Sequence, residues 1–392
     1  MENQIINLYN KNGCYDQEKD YQQISTILGT YGQQIENKYY LYVTNNDEIQ
    51  KLFTIFIFYY LHKIEINNQK KVHIAIDFEF NNQKVALMQL KLGKYIWITN
   101  PNHPDIKIFT KKILLNDKIY KIFHGAESLD LPYIFNDLLK NDSKKIFKFI
   151  KKYIDTRFLC EYVRHSLAES GRCSIYDAML YFNIINQDKY KILERINKSL
   201  GPIQNTSWDI NFLNDKKIKY AYYDVIYLDD LLFGIYDTIL NQTPCYSRSY
   251  YYIIEIIRFV ILERTEVTTI LKIISPIVNQ MNIYFVKINN ETIRLVDIFD
   301  RLHVVVEDGK GSLDIDFIKS NNYVRGIMNY LLKYITYCVI GRDFEIFINK
   351  KETMSQYIEI NILYNKLEEY GFMKMVKLLR LYEKGIKYIG KK

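Results

Sequence analysis

Residues 73–80 read HIAIDFEF, and the reading of this stretch decides the fold. His73, Ile74, Ala75 and Ile76 start an apolar strand, and Asp77 and Glu79 then alternate with Phe78 and Phe80. Side chains two apart on a strand share a face, so the two carboxylates are expected side by side at the strand's end, opposite the two phenyl rings. Like charges held that close in an apolar setting are costly unless something positive lies between them. The phenyl rings are expected either to face a ligand or to fill the core.

Two further stretches supply acids for the same place. Residues 123–138, FHGAESLDLPYIFNDL, put Asp130 in the first turns of a helix. Residues 219–232, KYAYYDVIYLDDLL, put Tyr220 four residues before Asp224, on one helix face. Asp229 and Asp230 are expected to be ordinary exposed helical acids, and Asp155 a helix cap. Four carboxylates whose motifs hold no arginine suggest divalent cations. Mg²⁺ and Mn²⁺ prefer hard oxygen ligands. Two such ions about 4 Å apart can engage both the attacking and the leaving oxygen of a phosphodiester.

Taken in order, these motifs resemble the DEDD superfamily of 3′–5′ exonucleases, in its tyrosine-bearing (DEDDy) branch with RNase D and the exosome's nuclear exonuclease. DFEF matches the first motif, Asp-x-Glu; HGAESLD resembles the second; YAYYD followed by VIYL matches the third, Tyr-x-x-x-Asp. VALMQL (85–90), IDTRFLCEY (154–162) and Trp208, twelve residues before Tyr220, agree with it. The resemblance spans roughly residues 38 to 240. The histidine branch needs a His five residues before the last Asp, where this chain has Lys219.

The resemblance implies a ribonuclease H-like α/β core and a two-metal hydrolysis of 3′-terminal phosphodiesters that releases nucleoside 5′-monophosphates. Asp77, Glu79, Asp130 and Asp224 would hold two Mg²⁺ or Mn²⁺ ions, and Tyr220 would orient the attacking water. RNA is the preferred substrate. The alternatives are a DNA 3′–5′ exonuclease of repair or replication, and an inactive nuclease fold serving as a nucleic-acid-binding scaffold. Three departures stand out. The spacing from His124 to Asp130 is one residue longer than the usual one, which leaves Glu127 as the alternative ligand. The family's Arg-Pro-Leu after the Trp reads NFL, residues 211–213. The segment around 187–206 is longer than usual and is expected to form an insertion near the mouth of the site. His124 is expected in the site wall.

The remaining composition sets bounds. The chain has 392 residues, 48% hydrophobic, enough for two domains and a sizeable core. No run of about 18 apolar residues marks a transmembrane helix, and MENQIINLYNKNG lacks the order of a signal peptide. The five cysteines, at 14, 160, 173, 245 and 338, form no CxxC pair. No disulfide framework is therefore expected, and an intracellular, reducing compartment fits, cytoplasm and nucleus alike. The net charge of +8 permits a polyanionic partner. The 36 tyrosines, with abundant Lys, Asn, Ile and Phe, suit an A/T-rich genome, of the kind found in large DNA viruses and in some protists.

Along the chain, residues 1–37 read as a polar, poorly packed extension and 38–240 as the exonuclease domain. Strands are expected at 39–43, 72–79, 85–90, 95–99 and 119–123, with helices dominating from about 129 to 240. Thr44 is expected to cap the helix that follows it. A boundary falls near NQTPCYSRS, 241–249, and residues 250–392 read as a second, mostly helical domain. Its end, 374–392, carries a basic helical face that could extend a nucleic-acid track.

Overall fold

The computed structural model describes residues 1–16, 18–68, 71–166, 169 and 173–242, two short strands at 285–288 and 291–294, and residues 365 and 368. The elements run in the order Glu2–Asn10 (α1), Lys19–Tyr31 (α2), Gln33–Ile35 (β1), Tyr39–Val43 (β2), Asp47–Ile66 (α3), Val72–Asn81 (β3), Lys84–Leu92 (β4) and Tyr95–Thr99 (β5). Ile106–Phe109 (α4), Ile119–Phe123 (β6), Asp130–Tyr133 (α5), Ser143–Ile150 (α6), Tyr153–Asp155 (β7) and Thr156–Ser166 (α7) follow. Ile175–Tyr181 (α8), Gln187–Leu200 (α9), Asp215–Ile226 (α10) and Leu228–Gln242 (α11) complete this part. Phe285–Ile288 (β8) and Glu291–Arg294 (β9) pair antiparallel as a separate ribbon.

Seven strands form one mixed sheet in the order β1-β2-β5-β4-β3-β6-β7. β3, β4 and β5 make an antiparallel meander, while β6 and β7 continue the sheet parallel to β3. With helices around it, this is the ribonuclease H-like α/β architecture expected. Strand β3 is central and covered on both sides, so Ile74, Ala75 and Ile76 are all buried in succession. On one side α3 presents Phe53 and Phe56 to Trp97 of β5, and Trp97 stacks on Tyr42 of β2 with ring centroids 4.2 Å apart.

Two local features shape the end of β3. Its pairing with β4 shifts register between Glu79 and Phe80, so that Ala86 is an extra residue on β4. Such a bulge bends the strand and re-aims the side chains beside it. The chain then turns back through Asn82 and Gln83, both at positive φ, the two-residue hairpin in which Asn is favoured.

The N-terminal expectation is overturned. Residues 1–37 hold two packed helices and strand β1, which pairs with β2. Ile5 and Leu8 of α1 are buried, as are Ile24, Ile27 and Leu28 of α2. These apolar positions recur at helical spacing within a run of Asn, Gln and Lys that hides the period. Asp20, also buried, is held by Lys11 at 2.6 Å. The helix start is corrected as well. Asn46 is the cap of α3, accepting from Ile49 N at 2.9 Å, with Asp47 and Glu48 in the first turn. Thr44 turns inward to Thr99 Oγ1, 3.1 Å away.

Asp229 is not a solvated acid, because the buried Lys91 of β4 pairs with it. The cysteine expectation is overturned too: Cys160 of α7 and Cys173, thirteen residues on, form a disulfide with Cα atoms 6.0 Å apart. Residues 187–206 supply α9 and a short 3₁₀ turn, Ile203–Asn205. Lys189 at the start of α9 reaches Glu36 at 2.7 Å and the Tyr223 hydroxyl at 2.9 Å. The boundary at 243–249 and the basic segment 374–392 lie outside the described residues. The β8–β9 ribbon interrupts the stretch expected to be helical.

Candidate active site

The acids arrive on three elements. β3 delivers Asp77 and Glu79 to one face, as the period of two requires. Helix α10, capped by the Asn214 side chain on Lys217 N at 3.0 Å, delivers Asp224 and Tyr220 one turn apart. Asp130 is the first residue of α5. Asp77, Glu79 and Asp224 each place a carboxylate oxygen within 4.8 Å of the others. Asp130 lies outside that trio, yet its charge bears on Glu79, as Asp77's bears on it.

Burial and mutual repulsion hold these acids toward protonation. The Asp77 carboxyl is pushed up to about 7 by desolvation. Burial raises Glu79 well above the usual range, and the charges of Asp77, Asp224 and Asp130 add to it. Asp130 and Asp224 are raised by burial first and by Asp77 next. Among the described residues no ion pair reaches any of the four. A set of hard oxygen donors with uncompensated negative charge fits a divalent cation of the Mg²⁺ or Mn²⁺ class.

The surrounding side chains hold the acids in place. Gln89 of β4 donates to Glu79 Oε1 at 3.2 Å. Tyr176 of α8 donates to Asp224 Oδ1 at 3.1 Å. Tyr220 faces the same carboxylate from its own helix, and burial beside Asp224 and Glu79 raises its hydroxyl far above the ordinary tyrosine range. Its ring leans on Trp208, centroids 5.8 Å apart. Trp208 is clamped through its backbone, because Asn81 donates to its carbonyl at 2.6 Å and accepts from its N–H at 2.7 Å. This pair ties the end of β3 to the segment that leads into α10.

Around the second motif, Asp155 at the end of β7 accepts from Gly125 N, Ala126 N, Arg157 N and the Tyr153 hydroxyl, at 2.7–3.1 Å. It therefore caps α7 and pins the turn before Asp130. Gly125 has φ +75°, and an added Cβ would meet the Arg157 side chain at 3.0 Å, so the turn depends on glycine. His124 lies between Thr156 Oγ1 at 2.9 Å and the Cys173 carbonyl at 3.0 Å, and burial lowers its pKa, so the neutral ring is favoured. Phe78 is buried in the core, edge-on to Tyr133 at 5.2 Å. Phe80 and Tyr133 instead line a cavity of about 650 Å³, with Leu129, Gln83, Asn102 and Asn136.

Tyr176, Gln89 and Asn81 were not legible as site residues. Tyr176 stands 48 positions from the acid it touches, one among 36 tyrosines. Gln89 lies in the apolar run VALMQL, where a buried amide is itself a signal that a polar partner faces it.

No family profile matches the chain. A relative from Acanthamoeba polyphaga mimivirus, the uncharacterized protein L533, is 28% identical over 366 residues, covering 87% of this chain and 72% of the relative. Among solved structures, Brucella melitensis NrnC is 16% identical with a TM-score of 0.35, covering 51% of this chain and 86% of its own. The catalytic core of RRP6 from Trypanosoma brucei is 14% identical with a TM-score of 0.35, over 89% of this chain and 79% of that one. Escherichia coli RNase D, an exoribonuclease involved in structured RNA processing, is 14% identical with a TM-score of 0.32, over 88% and 75%. No helix among the described residues is long and apolar enough to cross a membrane. The order of the chain's acidic motifs resembles that of the DEDD-type 3′–5′ exonucleases.

Proposed function

We propose that the chain is a divalent-metal-dependent 3′–5′ exonuclease of the tyrosine-bearing DEDD branch, acting on RNA in preference to DNA and releasing nucleoside 5′-monophosphates. The observation that carries this reading is the convergence of Asp77, Glu79 and Asp224 within 4.8 Å, with Asp130 beside them and no cationic side chain paired to them among the described residues. Asp77, Glu79, Asp130 and Asp224 are the ligands assigned to two ions, Mg²⁺ or Mn²⁺. Bound there, such ions supply Lewis acidity at the attacking and leaving oxygens.

The chain's own groups do the rest. Asp77, the trio's partly exposed member, marks the side from which a terminal phosphodiester enters. Tyr220 keeps its proton, because burial and the neighbouring carboxylates oppose its loss. It is the hydrogen-bonding group placed to orient water. Phe80 and Tyr133 line the cavity beside α5, where unpaired bases of the substrate can stack. Gln83, Asn102 and Asn136 supply amides there for base edges.

The deciding experiment uses 5′-labelled RNA and DNA strands of matched sequence with Mg²⁺, Mn²⁺ or EDTA. A ladder shortening from the 3′ end, faster on RNA and abolished by EDTA, is expected. Faster digestion of the DNA strand would transfer the reading to a DNA exonuclease. Stoichiometric binding with no metal-dependent turnover would leave the scaffold reading.

A further inference from the structure

Asp224 is approached by two tyrosine hydroxyls of different standing. Tyr220 comes from the same helix and is partly exposed. Tyr176 comes from α8, is 5% exposed, and donates to Asp224 Oδ1 at 3.1 Å. A side chain so enclosed cannot meet substrate or bulk water, but it can fix which way the carboxylate plane faces. Its own position is secured from several sides. Cys173, three residues earlier, is bonded to Cys160 of α7, and its carbonyl accepts from His124 Nε2 at 3.0 Å. The next residue of α8, Asp177, is held by Ser174 Oγ at 2.6 Å and by the Tyr190 hydroxyl of α9 at 2.8 Å.

We propose that Tyr176 is a positioning residue that holds Asp224 in its ion-binding orientation within the exonuclease site. The inference rests on the exonuclease reading given above. A free carboxylate rotates about its last torsion, and the trio's repulsion would swing Asp224 away from Asp77 and Glu79 in the absence of an anchor. One donor on Oδ1 opposes that swing and leaves the group's charge intact. Tyr176 is suited to this because its hydroxyl is already turned onto Oδ1 and its ring is enclosed by the core. Groups that orient a ligating carboxylate in this way typically change metal affinity by roughly 10–100-fold when removed.

Tyr176→Phe removes one oxygen and keeps the ring's volume. Mn²⁺ binding to the full chain, measured by calorimetry without substrate, should weaken about 10–100-fold, with the circular dichroism spectrum preserved. The exonuclease rate should fall at low Mn²⁺ and return as Mn²⁺ is raised. Tyr220→Phe should show a deficit that added metal does not relieve. In an Asp224→Asn background, Tyr176→Phe should change Mn²⁺ affinity little, since its route of action is gone. Unchanged Mn²⁺ affinity in folded Tyr176→Phe, or an equal loss in the Asp224→Asn background, would overturn the proposal and leave the exonuclease reading standing. A parent protein that binds no Mn²⁺ would overturn both.

Discussion

Asp77 and Asp224 sit where one atom's change should be decisive. Asp77→Asn and Asp224→Asn are each expected to cut turnover by several orders of magnitude and to leave the fold intact, checked by single-turnover assay beside circular dichroism. Asp130→Asn should cost far more than Glu127→Gln, because the charge of Asp130 bears on Glu79. The acids also predict a pH dependence of stability. A carboxyl whose folded pKa exceeds its unfolded value binds more protons folded than unfolded between the two, so stability falls as pH rises through that window. For Asp77 the window runs from 3.8 to about 7. Metal-free protein should therefore lose stability across it, Mn²⁺ should restore stability at the upper end, and Asp77→Asn should flatten the profile. Thermal melts in EDTA and in Mn²⁺ from pH 5 to pH 8 measure this. At this scale the sequence was generous wherever chemistry forced a spacing. The pairs 77/79 and 220/224 follow from the strand and helix periods. Tyr176 and the Cys160–Cys173 pair follow from no period, only from which distant segments the fold brings together.

Among the elements, β2, β5 and β6 match their expected bounds of 39–43, 95–99 and 119–123, because apolar β-branched and aromatic residues stop abruptly at polar turns. β1 and β7 have three residues each, too short to carry a pattern. The N-terminal helices were hidden by their polar background, and their packing yields a prediction. Deleting residues 1–37 exposes the partners of Ile5, Leu8, Ile24, Ile27 and Leu28, all buried. At about 1.5–3 kcal/mol for each fully buried side chain, the loss rivals a whole domain's margin of stability, so the truncated chain is expected to be insoluble or to melt many degrees lower. A merely appended tail would leave the melt unchanged. The cap of α3 is a finer test: Asn46→Ala should cost about 1 kcal/mol, read as a shift in a urea midpoint. The disulfide joins α7 to the lead-in of α8 across thirteen residues. Closing a loop of that order restricts the unfolded chain by roughly 3 kcal/mol in the entropic account, so reduction should lower the urea midpoint accordingly.

At the scale of the molecule, residues 1–161 and 171–236 make one compact unit, with the sheet as its spine. The ribonuclease H-like α/β core was implied by the motif resemblance, but the order of its strands was not. The sheet's first strand came from a region where no motif lies. Within this unit the carboxylate trio draws on residues 147 positions apart, Asp77 on β3 and Asp224 on α10. That separation has a consequence for the chain as it is made. A ribosome releases the β3–β4–β5 meander well before α10, at about 5–20 residues per second. Until α10 emerges, Asp77 and Glu79 lack Asp224, the partner that completes their cluster. The elements from β4 to α9 thus act as a delay line, withholding the finished carboxylate cluster until the sheet behind it has been laid down.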